Sequence, residues 1–134
     1  DYKKAYCLFE CTSCSSVCPS GAIKKLKVKD KKSVKIGEAD FSPDRCIVKI
    51  ENKACGACAE ICPTHAIKMN SPLEGHPFPF IEPELCIGCG ACEYTCPAKP
   101  KAFIVKPLEI HGKAILSAES SFPIEEDNSE EFPF

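Results

Sequence analysis

Residues 86–97 read Cys-Ile-Gly-Cys-Gly-Ala-Cys-Glu-Tyr-Thr-Cys-Pro, which gives the spacing C-x2-C-x2-C-x3-C-P. Three thiolates in so short a loop can reach several metal atoms of one compact inorganic group. Gly88 and Gly90 let the backbone wrap closely around such a group. Cys96 lies about one helical turn beyond the third cysteine, and Pro97 stops a helix from continuing over it. This stretch predicts a metal-binding loop followed by a short helix.

Two earlier stretches repeat the pattern with a longer first gap. Residues 7–18 have the spacing C-x3-C-x2-C-x3-C-P, and residues 46–62 have the spacing C-x8-C-x2-C-x3-C-P. The three motifs begin about 40 residues apart, and each ends in a Cys-Pro pair followed by apolar residues. We therefore interpret the chain as one unit, made of a cysteine loop, a short helix and a strand, used three times.

Cysteines with this spacing are typical of [4Fe–4S] clusters, which four thiolates hold. Disulfides would not explain a proline after every fourth cysteine, and a structural zinc ion needs only four ligands from paired C-x2-C segments. We expect three clusters, and at least two. The predicted cofactor-binding and metal-ligating residues are Cys7, Cys11, Cys14, Cys18, Cys46, Cys55, Cys58, Cys62, Cys86, Cys89, Cys92 and Cys96.

The second and third motifs, with the Cys-Pro-x-x-Ala-Ile segments, resemble the bacterial-type [4Fe–4S] ferredoxin superfamily over residues 7 to about 105. The spacings are most similar to the polyferredoxin electron-transfer subunits associated with periplasmic nitrate reductase and methylamine utilisation. Those subunits have four motifs where this chain has three. The resemblance implies an α+β fold of ferredoxin-like cluster-binding repeats, built from short helices and β-hairpins, with an extra N-terminal cluster motif.

Two ligand pairings stay open at this stage. The neighbouring motifs suggest one cluster on Cys46, Cys55, Cys58 and Cys96, a second on Cys86, Cys89, Cys92 and Cys62, and a third on Cys7, Cys11, Cys14 and Cys18. The resemblance to four-motif subunits implies a nested scheme instead, with Cys62 beside Cys7, Cys11 and Cys14, and with Cys18 beside Cys46, Cys55 and Cys58.

Outside the motifs, residues 23–37 alternate lysine with apolar residues and predict a β-hairpin with a solvated lysine face. A docking patch for an acidic partner is the alternative interpretation of these lysines. Short strands are predicted at 78–81 and 101–105, and a further strand or arm at 110–116.

We expect an iron–sulfur domain at residues 1–116, which contains motifs 7–18, 46–62 and 86–96. Residues 117–134 contain six acidic residues and no basic residue, and they predict an acidic, weakly ordered C-terminal tail.

Charge and composition exclude several classes of function. The formal net charge is −2, and each bound cluster with its four thiolates would add about −2, which argues against a nucleic-acid partner. No apolar run is long enough to span a membrane, and no phosphate-binding loop indicates a small-molecule substrate.

These features predict an electron carrier rather than an enzyme. It would relay single electrons between redox partners as a domain or subunit of a larger oxidoreductase system. The expected partner is a redox protein or a membrane quinone-linked subunit. The expected compartment is the cytoplasm, or the periplasm within an exported or membrane-associated complex. The alternative function is a zinc-stabilised interaction module without a redox role.

Overall fold

The computed structural model describes residues 2–72 and 75–115 of the chain, so the predicted tail at 117–134 lies outside the described residues. The helices of the described part are Ser13–Val17 (α1), Val28–Lys31 (α2), Ile47–Ile50 (α3), Ala57–Ile61 (α4) and Ala91–Thr95 (α5), with a 3-10 turn at Pro43–Arg45. The strands are Val34–Phe41 (β1), Ile67–Asn70 (β2), Phe78–Ile81 (β3) and Phe103–Lys113 (β4). In these ranges no helix is both long enough and apolar enough to cross a bilayer.

The strands form two separate antiparallel ribbons. In the first ribbon β1 pairs with β4, from Val34 opposite Lys113 to Phe41 opposite Phe103, with an irregularity between Lys35 and Gly37. In the second ribbon β2 pairs with β3 in a continuous register. Since short helices pack beside both ribbons, the fold is a small α+β arrangement, as the sequence predicted.

The hairpin predicted at residues 23–37 is wrong. Residues 21–30 are exposed, α2 forms one helical turn there, and β1 begins only at Val34. The apolar residues of β1 find their partner in β4, far along the chain, and sequence alternation alone cannot identify such a partner. The repeated unit is also incomplete, because α4 and α5 lead into strands whereas α1 leads into this exposed segment.

The strand predictions near the C-terminus are partly confirmed. The strand predicted at 78–81 is β3. Residues 103–105 and 110–113, from the segments predicted separately at 101–105 and 110–116, belong to one strand, β4, which continues through Pro107 and ends at Lys113. Pro107 is tolerated because β4 has a paired strand on one side only within the described part of the chain.

Cysteines and small residues make up much of the core. Phe103 is the largest fully buried side chain, at 1% exposure, and its ring stacks on Phe41 with centroids 4.6 Å apart. Ala66 and Ala102 are buried to the same degree. The described chain has two clusters of buried residues, and each contains cysteine thiols.

Glu93 ties α5 to β4 from a buried position, with 8% of its surface exposed. Its Oε2 accepts a hydrogen bond from the Val105 N–H at 2.7 Å. We expect Glu93→Ala to lower the free energy of unfolding by about 1–3 kcal/mol, because the buried N–H loses its acceptor. Glu93→Gln keeps an oxygen acceptor and should cost clearly less. Anaerobic thermal denaturation of both variants measures this difference, and equal losses would contradict it.

Candidate cluster-binding site

The second motif lines a cavity next to β3 and β4. Cys46 follows the 3-10 turn, Cys55 precedes α4, and Cys58 lies within α4. The gap of eight residues after Cys46 holds α3, whose Ile47 and Val48 form part of the cavity wall. The other lining residues are Cys55, Cys58, Pro79, Cys96, Pro97, Ala98, Ala102 and Phe103.

The third motif lines a second cavity between α5, β1 and β4. Ala39 of β1 and Val105 of β4 form one wall, and Ile67 and Ile81 form another. The thiols that line this cavity are Cys62, Cys86, Cys89 and Cys92.

The last cysteine of each motif therefore lies at the cavity of the other motif. Cys62 ends α4 and Cys96 ends α5, and the two helices pack against each other. Each of these helices starts at the cavity of its own motif and ends at the cavity of the other, so the cysteine that follows the helix lines the other cavity. Of the two pairings left open by the sequence, the two crossed sets of the neighbouring-motif scheme are the ones that line these cavities.

The thiols of the first motif are more accessible. Cys14 in α1 is exposed, and Cys7, Cys11 and Cys18 are half-buried. The Cys7 N–H donates a hydrogen bond to the Cys89 carbonyl oxygen at 2.8 Å. The first motif thus lies directly beside the loop of the third motif.

Burial sets the proton affinity of the inner thiols. Desolvation, together with the nearby Cys55 thiol, raises the pKa of Cys58 to about 12. Burial likewise raises the pKa values of Cys89 and Cys92. These thiols keep their protons at neutral pH unless a cation replaces them, so metal loading must release protons.

Hydrogen bonds have the opposite effect at the first motif. Cys18 Sγ lies 3.4 Å from Ser20 Oγ, and this contact, with the backbone N–H of Ile23, lowers the pKa of Cys18 to about 7. The Ser13 hydroxyl similarly lowers the pKa of Cys11. These thiols are therefore closer to the thiolate form that binds metal.

Two backbone contacts shape the loop of the third motif. Gly88 has φ +75°, and a Cβ on it would lie 2.4 Å from the backbone of Gly37. The Tyr2 ring covers Gly90, and its hydroxyl donates a hydrogen bond to the Gly88 carbonyl oxygen at 3.2 Å. Sequence reasoning missed Gly37 and Tyr2. An isolated glycine within a strand pattern indicates close backbone approach, so Gly37 could have been found, whereas Tyr2 carries no such signal.

The donor sets suit a multi-iron group better than a single ion. The two cavities are small, and each opens to solvent at its mouth. In the part of the chain that the structure describes, no group of three or more His, Cys, Asp or Glu residues is placed to hold one metal ion. Each cavity is lined by four thiols, which is the number that holds a [4Fe–4S] cluster. The Ala102 N–H also donates to Cys96 Sγ at 3.4 Å.

Comparison with known proteins agrees with this chemistry. Residues 7–66 and 53–99 both match the family described as 4Fe-4S dicluster domain. Because the two matches together cover more than half of the chain, the chain belongs to this family of iron–sulfur ferredoxin domains. The resemblance predicted from the sequence is confirmed.

Each alignment with an individual relative covers only part of this chain and part of the relative. The ferredoxin-type protein NapG of Escherichia coli is 27% identical over 105 residues, which are 72% of this chain and 45% of NapG. One subunit of the ferredoxin/F(420)H(2)-dependent CoB-CoM heterodisulfide reductase of Methanosarcina acetivorans is 31% identical over 71% of this chain and 12% of its own length. The ketoisovalerate oxidoreductase subunit VorC of Methanothermobacter marburgensis is 33% identical over 48% of this chain and 77% of its own.

The chain thus spans less than half the length of NapG. No solved structure matches the chain significantly.

Proposed function

We propose that this chain relays single electrons through [4Fe–4S] clusters between redox partners, as a domain or subunit of a larger oxidoreductase system. The observation that carries the proposal is the crossed arrangement of the second and third motifs, in which each cavity is lined by four thiols from two motifs. Membership of the dicluster family and the similarity to the ferredoxin-type protein NapG support it. The ferredoxin-like repeats are the second and third motifs, and residues 1–116 form the iron–sulfur domain.

We assign all twelve cysteines as ligands of three clusters. The first cavity holds a cluster on Cys46, Cys55, Cys58 and Cys96. The second cavity holds a cluster on Cys62, Cys86, Cys89 and Cys92. The third cluster uses the four cysteines of the first motif, Cys7, Cys11, Cys14 and Cys18. Cys11 and Cys18 contact serine hydroxyls, and the Cys7 N–H donates to the third-motif loop.

Bound clusters of this kind supply one-electron oxidation and reduction. The chain itself shields the clusters from water and adjusts their reduction potentials. The apolar cavity walls exclude water, and the Ala102 N–H on Cys96 Sγ favours the more negative, reduced state. Because each assigned set is complete, no iron position is left for a substrate, and we propose no catalysis by this chain alone.

We propose classes of partner and not particular proteins. An electron relay needs a donor and an acceptor, of which one is a redox protein and the other a redox protein or a membrane quinone-linked subunit. The working compartment is the cytoplasm, or the periplasm if the chain belongs to an exported or membrane-associated complex. Contacts of this kind are small and transient.

Metal analysis of the anaerobically purified chain tests the proposal. We expect about twelve iron atoms and about twelve sulfides per chain, since each of three clusters contributes four of each, and a brown colour that bleaches with dithionite. About eight of each would leave the first motif without a cluster. Zinc in place of iron and sulfide would establish the alternative, a zinc-stabilised interaction module, and would refute the relay.

A further inference from the structure

An unusual surface lies next to the first motif. Six of the nine residues 24–32 are lysine and one is aspartate. We call Lys24, Lys25, Lys27 and Lys29, together with Ile23, Leu26 and Val28 between them, the lysine surface. Every residue of this surface is exposed, and the three apolar side chains are 37–44% accessible.

The four lysines of this surface lie in one short segment and have no acidic partner among the described residues, unlike six other lysines of the described chain. Across residues 2–72 and 75–115, none of the four forms an ion pair, whereas several other lysines do. The paired lysines are Lys32 with Glu10, Lys35 with Glu38, Lys49 with Asp44, Lys53 with Glu51, Lys68 with Glu82, and Lys106 with Asp40. The lysine surface is therefore a concentration of positive charge that the described body does not neutralise.

The next two lysines fasten this segment to the first motif. Lys31 Nζ donates hydrogen bonds to the carbonyl oxygens of Leu8 and Phe9. Lys32 Nζ lies 2.7 Å from Glu10 Oε1 and 5.3 Å from the centre of the Phe9 ring. Since these three partners lie between Cys7 and Cys11, the lysine surface borders the most accessible thiols of the chain.

Apolar side chains around the first motif are also left uncovered by the described residues. Val17, at the end of α1, is 75% exposed, and Leu8, in the loop before it, is 59% exposed. Exposed apolar side chains grouped with unneutralised charge mark an interaction site. Charge attracts and orients the partner, and a small apolar contact then holds it briefly.

We propose that the lysine surface docks a redox protein with an acidic surface, and that electrons cross between the two proteins at the first motif. This inference rests on the proposed function. A protein partner is favoured because the lysine surface borders the first cysteine motif. An electron that leaves the chain at this motif has to pass to a redox centre in another protein.

Binding of an acidic redox protein tests the inference. The probe is an acidic blue-copper protein, ¹⁵N-labelled and in its diamagnetic Cu(I) state, so that its amide shifts report the dissociation constant for the iron-loaded full chain. We expect binding at low ionic strength that weakens at least about tenfold in several hundred millimolar salt. Neutralising the surface with Lys24→Gln, Lys25→Gln, Lys27→Gln and Lys29→Gln together should weaken binding about tenfold at low salt.

A matched set of substitutions controls for total charge. Lys49→Gln, Lys53→Gln, Lys68→Gln and Lys106→Gln remove the same number of charges from paired lysines, and together they should change the dissociation constant less than about twofold. Equal effects of the two sets would overturn the inference.

Electron transfer gives a second measurement. With the probe in its Cu(II) state, one electron leaves the dithionite-reduced chain and converts Cu(II) to Cu(I), which removes the blue absorbance. The transfer rate should fall with the first set of substitutions and not with the second. Iron content and bleaching by dithionite are measured beforehand. Unbleached or iron-free protein refutes the proposed relay, whereas bleached protein with no preference between the sets refutes only the docking surface.

Two other possible occupants of the lysine surface would each give a different binding result. If the chain shortened to residue 116 binds the probe at least tenfold more tightly than the full chain, its own acidic tail occupies the lysine surface. If the full chain binds vesicles containing phosphatidylserine, and the first substituted set does not, the surface meets a membrane. Vesicle binding of this kind overturns the proposal, and so does a chain that binds the probe only after its tail is removed.

Discussion

Cys92→Ser is expected to remove about four iron atoms and about four sulfides per chain and to lower the free energy of unfolding by more than about 4 kcal/mol, in the range of a lost metal site. Cys92 is buried in a core cluster that also contains Cys86 and Phe103. The cluster assigned to its cavity takes the place of apolar side chains in that core. Without it, four buried or half-buried thiols face each other across this cavity with no metal to join its walls.

The matched variant is Cys14→Ser, at the exposed cysteine of the first motif. It should lose a similar amount of iron, but with a shift in melting temperature of less than about 5 °C, because few buried contacts depend on that site. Iron analysis and anaerobic thermal denaturation followed by circular dichroism compare the two variants. Full iron content in Cys92→Ser, or equal loss of stability in both, would refute the assignment.

Gly88→Ala is the second substitution with a large expected effect. Position 88 has φ +75°, where an L-residue costs about 1–2 kcal/mol, and the new Cβ would overlap the N, Cα and C atoms of Gly37 at 2.4 Å. Backbone atoms cannot rotate away as a side chain can. Relief requires β1 to move off the loop and to lose the hydrogen bond from the Ile36 N–H to the Ile87 carbonyl oxygen at 3.0 Å. We expect a total loss above about 3 kcal/mol.

Gly112→Ala provides the control. Gly112 lies in β4, which pairs with β1, the strand that contains Gly37. Gly112 has no heavy atom near its potential Cβ and no positive φ, so its replacement should change stability by less than about 0.5 kcal/mol. Anaerobic denaturant titration, with the cluster absorbance recorded at each point, measures both variants. A Gly88→Ala protein as stable as Gly112→Ala would mean that β1 does not press on the loop.

The sequence predicted most where the determinants are local. Spacing within 86–97 and 46–62 predicts a loop, then a short helix, then a Cys-Pro end, and α5 and α4 follow that order. The strand at 78–81 is likewise found where its β-forming residues predicted it. Such features depend on neighbouring residues, and a linear pattern is enough to define them.

Long-range contacts are what the sequence could not define. The alternation at residues 23–37 does not reveal that Val34 and Ile36 belong to a strand whose partner begins at Phe103. The fourth thiol at each cavity also depends on how α4 and α5 pack together. The two pairings could therefore not be separated by spacing alone, and only the packing of the helices brings Cys62 and Cys96 to opposite cavities.

The ribbon of β1 and β4 has a consequence for synthesis on the ribosome. β4 supplies Phe103 to the wall of one cavity and Val105 to the wall of the other, and all twelve cysteines precede it in the chain. During translation every thiol leaves the exit tunnel before the strand that closes both cavities. Until β4 has emerged, the walls that it contributes are missing, so both sites are open to iron and sulfide at that stage of synthesis.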